Sequence, residues 1–260
     1  MDAYSGLYIA DRPVAIFENY ISPEVLTIFR EMDKIVDDQE RAYLYLATAQ
    51  TIKDRLNVMG YSLKRVKEEF DSSKSKLYTE EEEQLKRWQE RIEEGYKDWS
   101  RLVPTLGYRE LEEKVEVLRE TTFEEWVSAY AEILSNRIVT RPGLYTEETF
   151  PYKEEIAGLS PLIRYIITDN HYLAYTFPHN DIRSFLRVAL EECPNDSIVA
   201  QDLTELVVAG YYKPDEPVCE NAIQSLAADY SVNGRIVILG EGSSDIEILD
   251  RSLRLLFPHL

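Results

Sequence analysis

The sequence predicts a mainly α protein: a helical bundle with a long projecting helical hairpin, a short N-terminal β-hairpin and a C-terminal strand–helix unit. Three observations predict it. Apolar residues recur at three- and four-residue spacing through most of the chain. Ser/Thr-x-x-Glu capping boxes punctuate those periodic runs. Two compact β-branched runs lie near the two ends, Leu7 to Phe17 and Ile236 to Leu239. With 260 residues, 44% of them hydrophobic, the chain can bury a large core. The expected organisation is one helical domain over 1–231 and an appendage over 232–260.

Taken in order, Gly6 to Phe17 reads as a β-hairpin: Leu7-Tyr8-Ile9, a turn at Asp11-Arg12-Pro13, then Val14 to Phe17. Asp38 to Met59 reads as a helix with Ala42, Tyr45, Leu46, Ala49, Ile52, Leu56 and Met59 on one face, closed by Gly60. Ser62 caps a short successor with Leu63, Val66 and Phe70 inward, and Asp71 to Lys76 reads as a polar break. Thr79 and Glu82 then open a long helix marked by Leu85, Trp88, Ile92, Tyr96 and Trp99. The acidic run Glu80 to Glu83 fits the first turn, where the helix dipole favours carboxylates. These segments form the expected hairpin, a shape suited to dimerisation or partner docking.

Tyr108 to Arg119 makes a further helix through Leu111, Val115 and Leu118. Thr122 and Glu125 box the next, with Phe123, Trp126, Val127, Tyr130, Leu134 and Ile138 inward. Val139 to Lys153 is the longest stretch without periodicity. Ser160-Pro161, Asn180-Asp181, Asp196 and Pro217 start four more helices, the third ending at Gly210. Near the end, Asn233-Gly234 launches the strand Ile236 to Leu239, and Glu241 stands between Gly240 and Gly242. Ser244 and Glu247 cap a helix with Ile246, Leu249, Leu253 and Leu256 on one face.

Charge narrows the function. A net charge of −19 opposes the long-range attraction that phosphate backbones need, so any nucleic-acid contact must be local. Cys193 and Cys219 have no metal-ligand spacing and read as buried thiols. Neither a basic-then-apolar leader nor a membrane-length apolar run is visible, which makes a cytoplasmic protein without membrane contact the expectation.

Only His171, His179 and His259 are available for proton transfer by imidazole. Arg164 and His171 form the one arrangement with a mechanism. A histidine can move a proton at a ribose 2′-hydroxyl or leaving oxygen while a guanidinium holds the phosphate. On an unbroken helix the pair would share a face roughly 10 Å apart along the axis, so a helix end near Asp169-Asn170 or a second subunit must close the gap. The alternative has Arg164 bound to a carboxylate and His171 at a helix end. Arg183 and Arg187, one turn apart, are candidate substrate contacts, or ion-pair partners of Glu191 and nearby acids.

The run Arg235-Ile-Val-Ile-Leu-Gly-Glu-Gly-Ser-Ser-Asp-Ile-Glu-Ile-Leu resembles the opening of a Toprim domain, so the C-terminal unit reads as the start of an incomplete Toprim α/β fold. That resemblance makes Glu241 the proton-handling or metal-site carboxylate of a Mg²⁺ reaction. Its Asp-x-Asp partner is absent from this sequence, so no cofactor and no metal site is expected of this chain alone. The Arg164-x(6)-His171 pattern resembles the motif of HEPN ribonucleases, helical proteins that commonly build their site at a dimer interface. Together with Arg55 to Val66, Asp181 to Arg187 and Asp202 to Tyr212, these signals resemble the N-terminal part of prokaryotic HEPN/Toprim-associated proteins. The resemblance implies a homo-oligomer, RNA or DNA as substrate, and a role in defence against phage. It leaves open a non-catalytic scaffold that oligomerises or binds a protein partner for a Toprim effector, and a nucleic-acid mimic that binds basic proteins.

Overall fold

The computed structural model describes residues 2–37, 42–93, 103–136, 138, 156, 158–170, 172–229 and 243–256. Its strands are β1 (Tyr4–Ile9), β2 (Arg12–Glu18), β3 (Lys34–Asp37), β4 (Ala42–Thr48) and β5 (Ile198–Asp202). Its α-helices are α1 (Pro23–Leu26), α2 (Ala49–Val58), α3 (Leu63–Glu93), α4 (Val103–Glu120), α5 (Phe123–Ser135), α6 (Pro161–Asp169), α7 (Ile182–Ala189), α8 (Thr204–Val208), α9 (Val218–Asp229) and α10 (Ser243–Leu256). Helix predominates, as the periodicity predicts. The chain divides into two compact units: Met1–Ser62 with Pro194–Leu260, and Leu63–Cys193.

The first unit is built on an antiparallel sheet of order β2-β1-β5-β4-β3. The β1–β2 hairpin forms, but its turn is Ala10-Asp11, both with positive φ, and Arg12 and Pro13 already belong to β2. Pro13 is tolerated there because β2 is an edge strand, and a register shift opposite Leu7/Tyr8 absorbs the irregularity. The helix expected over Asp38–Met59 is corrected: residues 42–48 are strand β4, and Thr48 then caps α2 by accepting the Thr51 amide at 3.2 Å. Tyr45 and Ala47 point into the core by strand alternation, a period-2 pattern that Ala42, Tyr45, Leu46 and Ala49 mimic at helical spacing. The helix expected from Asp196 to Gly210 is corrected likewise. Its first part is β5, the central strand, and only Thr204–Val208 is helical; Gly210, at φ +84°, follows the α8 C-cap Ala209.

Polar groups in this unit are tied down. Glu31 accepts the Tyr45 hydroxyl and the Cys219 amide, each at 2.8 Å, so its carboxylate caps the first turn of α9. The Arg55 guanidinium grips Asp33 with both terminal nitrogens and the Ile28 carbonyl at 3.0 Å. Burial pushes the Cys219 thiol up to about 12, so it stays protonated, and both cysteines are buried and reduced. The expected face of α10 is partly covered: Leu249 and Leu253 are half-buried, while Ile246 remains 53% exposed. That helix begins at Ser243, so Ser244 lies inside its first turn and not at a cap. The strand expected at Ile236–Leu239 and the boundary at 231/232 lie outside the described residues.

The second unit is helical. The break expected over Asp71–Lys76 is absent, and α3 runs unbroken from Leu63 to Glu93. Thr79 explains why: its hydroxyl donates to the Ser75 carbonyl four residues back, a helix-interior bond, while Glu82 takes the Tyr78 hydroxyl and Lys86. Contacts of Lys74 with the Thr121 carbonyl, Glu81 with Lys114, and Gln89 with the Tyr108 hydroxyl set α3 and α4 antiparallel, so a helical hairpin forms, but it pairs α3 with α4 and not the segments before and after Asp71–Lys76, which belong to the single helix α3. Thr122 and Glu125 form the predicted capping box of α5. Behind it lies an aromatic core in which Phe70, Tyr130, Tyr165 and Phe177 surround the fully buried Trp126 at ring separations of 5.9–6.0 Å, and Phe123 packs on Phe70 at 5.4 Å. The stretch Val139–Lys153 lies outside the described residues.

Candidate functional site

Helix α6 presents Arg164, and the reason is local. Ser160 caps the helix by accepting the Ile163 amide at 3.2 Å, and Pro161 occupies the first turn. Leu162, Ile163, Tyr165, Ile166 and Ile167 are buried, which leaves Arg164 half-exposed on the remaining face. Among the described residues its guanidinium has no carboxylate within ion-pair distance. The helix ends at Asp169, and Asn170 is extended (φ −139°, ψ 157°). Residue 171 therefore follows a helix end, and the axial separation of an unbroken helix does not govern its distance from Arg164. His171 itself lies outside the described residues, as does Glu241.

Beside that helix end sits a polar cluster that sequence reasoning missed. Lys114 of α4 lies 3.0 Å from Glu81 of α3 and 3.4 Å from Asp169 of α6, with its ammonium 5.8 Å from the Tyr165 ring centre. The three charged side chains are 16–30% exposed. Burial, then the Asp169 charge and hydrogen bond, push the Tyr165 phenol far above its ordinary range, so it acts only as a neutral donor. One ammonium between two carboxylates leaves the cluster net negative. The only signal in the sequence was the four-residue spacing of Tyr165 and Asp169, since Lys114 and Glu81 arrive from other helices.

The other candidate arginines have different surroundings. Arg183 folds back on Asp181, the α7 N-cap, through Nε at 2.9 Å and a terminal nitrogen at 2.6 Å. Arg187 is buried and paired with Glu191. These are the ion pairs their spacing allowed, and each guanidinium is held by a carboxylate where Arg164 has none among the described residues.

The chain immediately after His171 is held rigidly. A 3₁₀ turn, Leu173–Tyr175, buries Leu173 and Ala174; Thr176 donates to the Leu173 carbonyl at 2.9 Å and shares a 3.0 Å hydrogen bond with the Tyr130 hydroxyl. His179 Nε2 lies 2.9 Å from the Ala174 carbonyl and therefore carries the proton, leaving Nδ1 buried without a partner. Burial holds this imidazole below its usual pKa, so it is neutral at pH 7. A separate shallow pocket between α3 and α4 is lined by Asp71, Lys74, Ser75, Tyr78, Leu118 and Arg119, with Lys74 committed to Thr121.

Among the described residues no three His, Cys, Asp or Glu side chains converge as metal ligands, and no helix is long and apolar enough to cross a membrane. The comparisons match no curated protein and no solved structure. One family model does match, the HEPN/Toprim N-terminal domain 1, over residues 1–228. That span holds the five described strands, the hairpin and Arg164, and the chain belongs to the HEPN/Toprim N-terminal domain family.

Proposed function

We propose that this chain is the helical N-terminal region of a nuclease acting in defence against phage, and that Arg164 and His171 cleave RNA without a metal. The observation that carries the reading is the contrast among arginines: Arg164 is half-buried with no carboxylate partner among the described residues, five residues before the helix end at Asp169, whereas Arg183 and Arg187 are each paired with a carboxylate. In the reaction His171 takes the 2′-hydroxyl proton and the freed oxygen attacks the adjacent phosphorus. The 5′-oxygen leaves as an alcohol after receiving a proton, giving a 2′,3′-cyclic phosphate and a 5′-hydroxyl. Arg164 holds the non-bridging oxygens as negative charge develops on them. Arg183 and Arg187 would reach substrate only by exchanging their present carboxylates for phosphate. A homo-oligomer fits this reading because a second copy would bring a second Arg–His pair to the same strand.

A Toprim metal site would use Glu241, but the donor set is incomplete without an Asp-x-Asp, and no step is assigned to Mg²⁺. A second reading, a scaffold that binds a protein partner, is favoured by Ile246 and Ile248 of α10, 53% and 64% exposed. The test is cleavage of end-labelled single-stranded RNA in EDTA by the wild type, Arg164→Ala and His171→Ala. Cleavage reduced at least about 100-fold in both variants supports the Arg–His reading. No cleavage by the wild type sinks it and leaves the scaffold.

A further inference from the structure

The hairpin of α3 and α4 holds a recess that the Arg164 reading does not use. Asp71, Lys74, Ser75 and Tyr78 recur at three- and four-residue spacing and so line one stripe of α3. Leu118 and Arg119 meet them from the last turn of α4, around a cavity of about 280 Å³. Ligand pockets hold roughly 300–1,000 Å³, so this one has room for a small metabolite. Leu118 is 0% exposed and, with the half-buried Tyr78, gives the recess an apolar side. The Tyr78 hydroxyl donates to Glu82 at 2.7 Å, which leaves its ring as the surface offered.

Charge and unused donors distinguish the recess from an ordinary crevice. In a chain of net charge −19 it is lined by two cations and one carboxylate. Lys67, Lys76 and Lys86 of α3 each lie within ion-pair distance of a glutamate, whereas Lys74 has no carboxylate that close among the described residues. One of its protons goes to the Thr121 carbonyl, and an ammonium has others to give. Burial holds Lys74 below its ordinary pKa although Asp71 and Glu125 act the other way, so an anion beside this amine would offset a cost already present. The pairs of Arg119 with Glu116, at 3.9 Å, and Glu120, at 3.2 Å, are exposed, and exchanging them for a ligand costs little. The Ser75 hydroxyl makes no hydrogen bond to a described residue, and Asp71 has no described cation within ion-pair distance.

Two cations and a hydroxyl suit the several oxygens of a phosphate better than the two of a carboxylate. We propose that this recess binds a small phosphate monoester. Lys74, Arg119 and the Ser75 hydroxyl take the phosphate oxygens, the apolar body lies against Leu118 and Tyr78, and Asp71 accepts from a ligand hydroxyl or amine. No residue of α6 lines the recess, so the proposal stands apart from the nuclease reading.

The test is calorimetric titration of the full chain with phenyl phosphate, inorganic phosphate, benzoate and phenol, at constant ionic strength and about pH 7.5, where a phosphate monoester is mainly a dianion. Phenyl phosphate is expected to bind about 10-fold more tightly than inorganic phosphate, which has no apolar body, and more tightly than benzoate; phenol should give no heat. Arg119→Gln, at an exposed position, is expected to weaken phenyl phosphate roughly 10-fold. Lys74→Gln can still donate to the Thr121 carbonyl and is expected to weaken it at least as much. Asp71→Asn should do the reverse and tighten it, because phenyl phosphate offers Asp71 no donor and the variant removes a like charge. Opposite signs at Arg119 and Asp71 separate a phosphate site from a folding defect, which would weaken binding in every variant. Phenyl phosphate bound equally by wild type and Arg119→Gln, benzoate or phenol bound as tightly as phenyl phosphate, or no heat from any probe at millimolar concentration overturns the proposal.

Discussion

The two units treat their ionic side chains in opposite ways. In the sheet unit, Arg55 and Asp33 are 14% and 12% exposed and saturated: Asp33 also accepts the Arg30 amide at 2.8 Å, and Arg55 also holds the Ile28 carbonyl. Glu31 is spent on Tyr45 and the start of α9. At the end of α6 in the helical unit the balance is left open. Lys114 serves two carboxylates at once, and Arg164 has none among the described residues. A closed network fixes one fold; an open one retains charge that a ligand can answer. The difference predicts that breaking the first should cost stability, and breaking the second should cost function.

The largest effect is expected at Arg55. Arg55→Ala leaves the Asp33 carboxylate nearly buried without its cation, a loss of about 3 kcal/mol. All three tryptophans, Trp88, Trp99 and Trp126, lie in the helical unit. Urea unfolding followed by far-UV circular dichroism should therefore shift to lower denaturant, while tryptophan fluorescence shifts less. Coincident shifts of both signals would show one cooperative unit and remove the contrast. Arg164→Ala, measured the same way, is expected to stay within about 0.5 kcal/mol of wild type, because no described carboxylate depends on it.

Lys114 sits between these extremes. Lys114→Met keeps the aliphatic stem but leaves Glu81 and Asp169 facing each other, and about 1–2 kcal/mol should be lost from the helical unit. Adding Glu81→Gln should recover part of that loss, since one carboxylate then remains where two stood. If the double variant is no better than the single one, the cluster is held by solvent and the open-network description fails.

What was legible in the sequence follows the same division. The caps at Thr122 and Ser160, the start of α7 at Asp181 and the inward faces of α5 and α7 are local facts, written within one or two helical turns. The sheet was hidden because its central strand, β5, arrives long after the strands it joins. Residues 42–48 satisfy helical and strand spacing at once, and only pairing with β5 and β3 decides between them. The polar break failed for a related reason: Ser72, Ser73 and Ser75 weaken an isolated helix, but packing of Phe70 and the grip of Lys74 on Thr121 hold α3 continuous. At the site, Arg164 and the helix end were readable in sequence. The Lys114 cluster, assembled from three helices, was not.

The smallest expected effect concerns the turn Leu173–Tyr175. His179 is neutral in the folded chain because burial disfavours its charged form, and its Nε2 proton goes to the Ala174 carbonyl. Its folded pKa therefore lies below the ordinary 6.5 of the unfolded chain. Above 6.5 both states hold the neutral ring, and its contribution is fully present. As the pH falls through 6.5 towards the folded pKa, the unfolded state takes the proton first and stability declines, by at most about 1.4 kcal/mol per pH unit. The shifted carboxylates Glu82, Glu124 and Glu125 have pKa values lowered from 4.5, so they contribute little between pH 5 and 6.5. His179→Gln can still donate to the Ala174 carbonyl but cannot titrate. Subtracting its urea midpoints from those of wild type between pH 7.5 and 5 isolates the ring from His171 and His259. A difference that widens towards acid shows that the neutral imidazole holds the Leu173–Tyr175 turn, whereas a flat difference would mean that the ring accepts a proton without disturbing that turn.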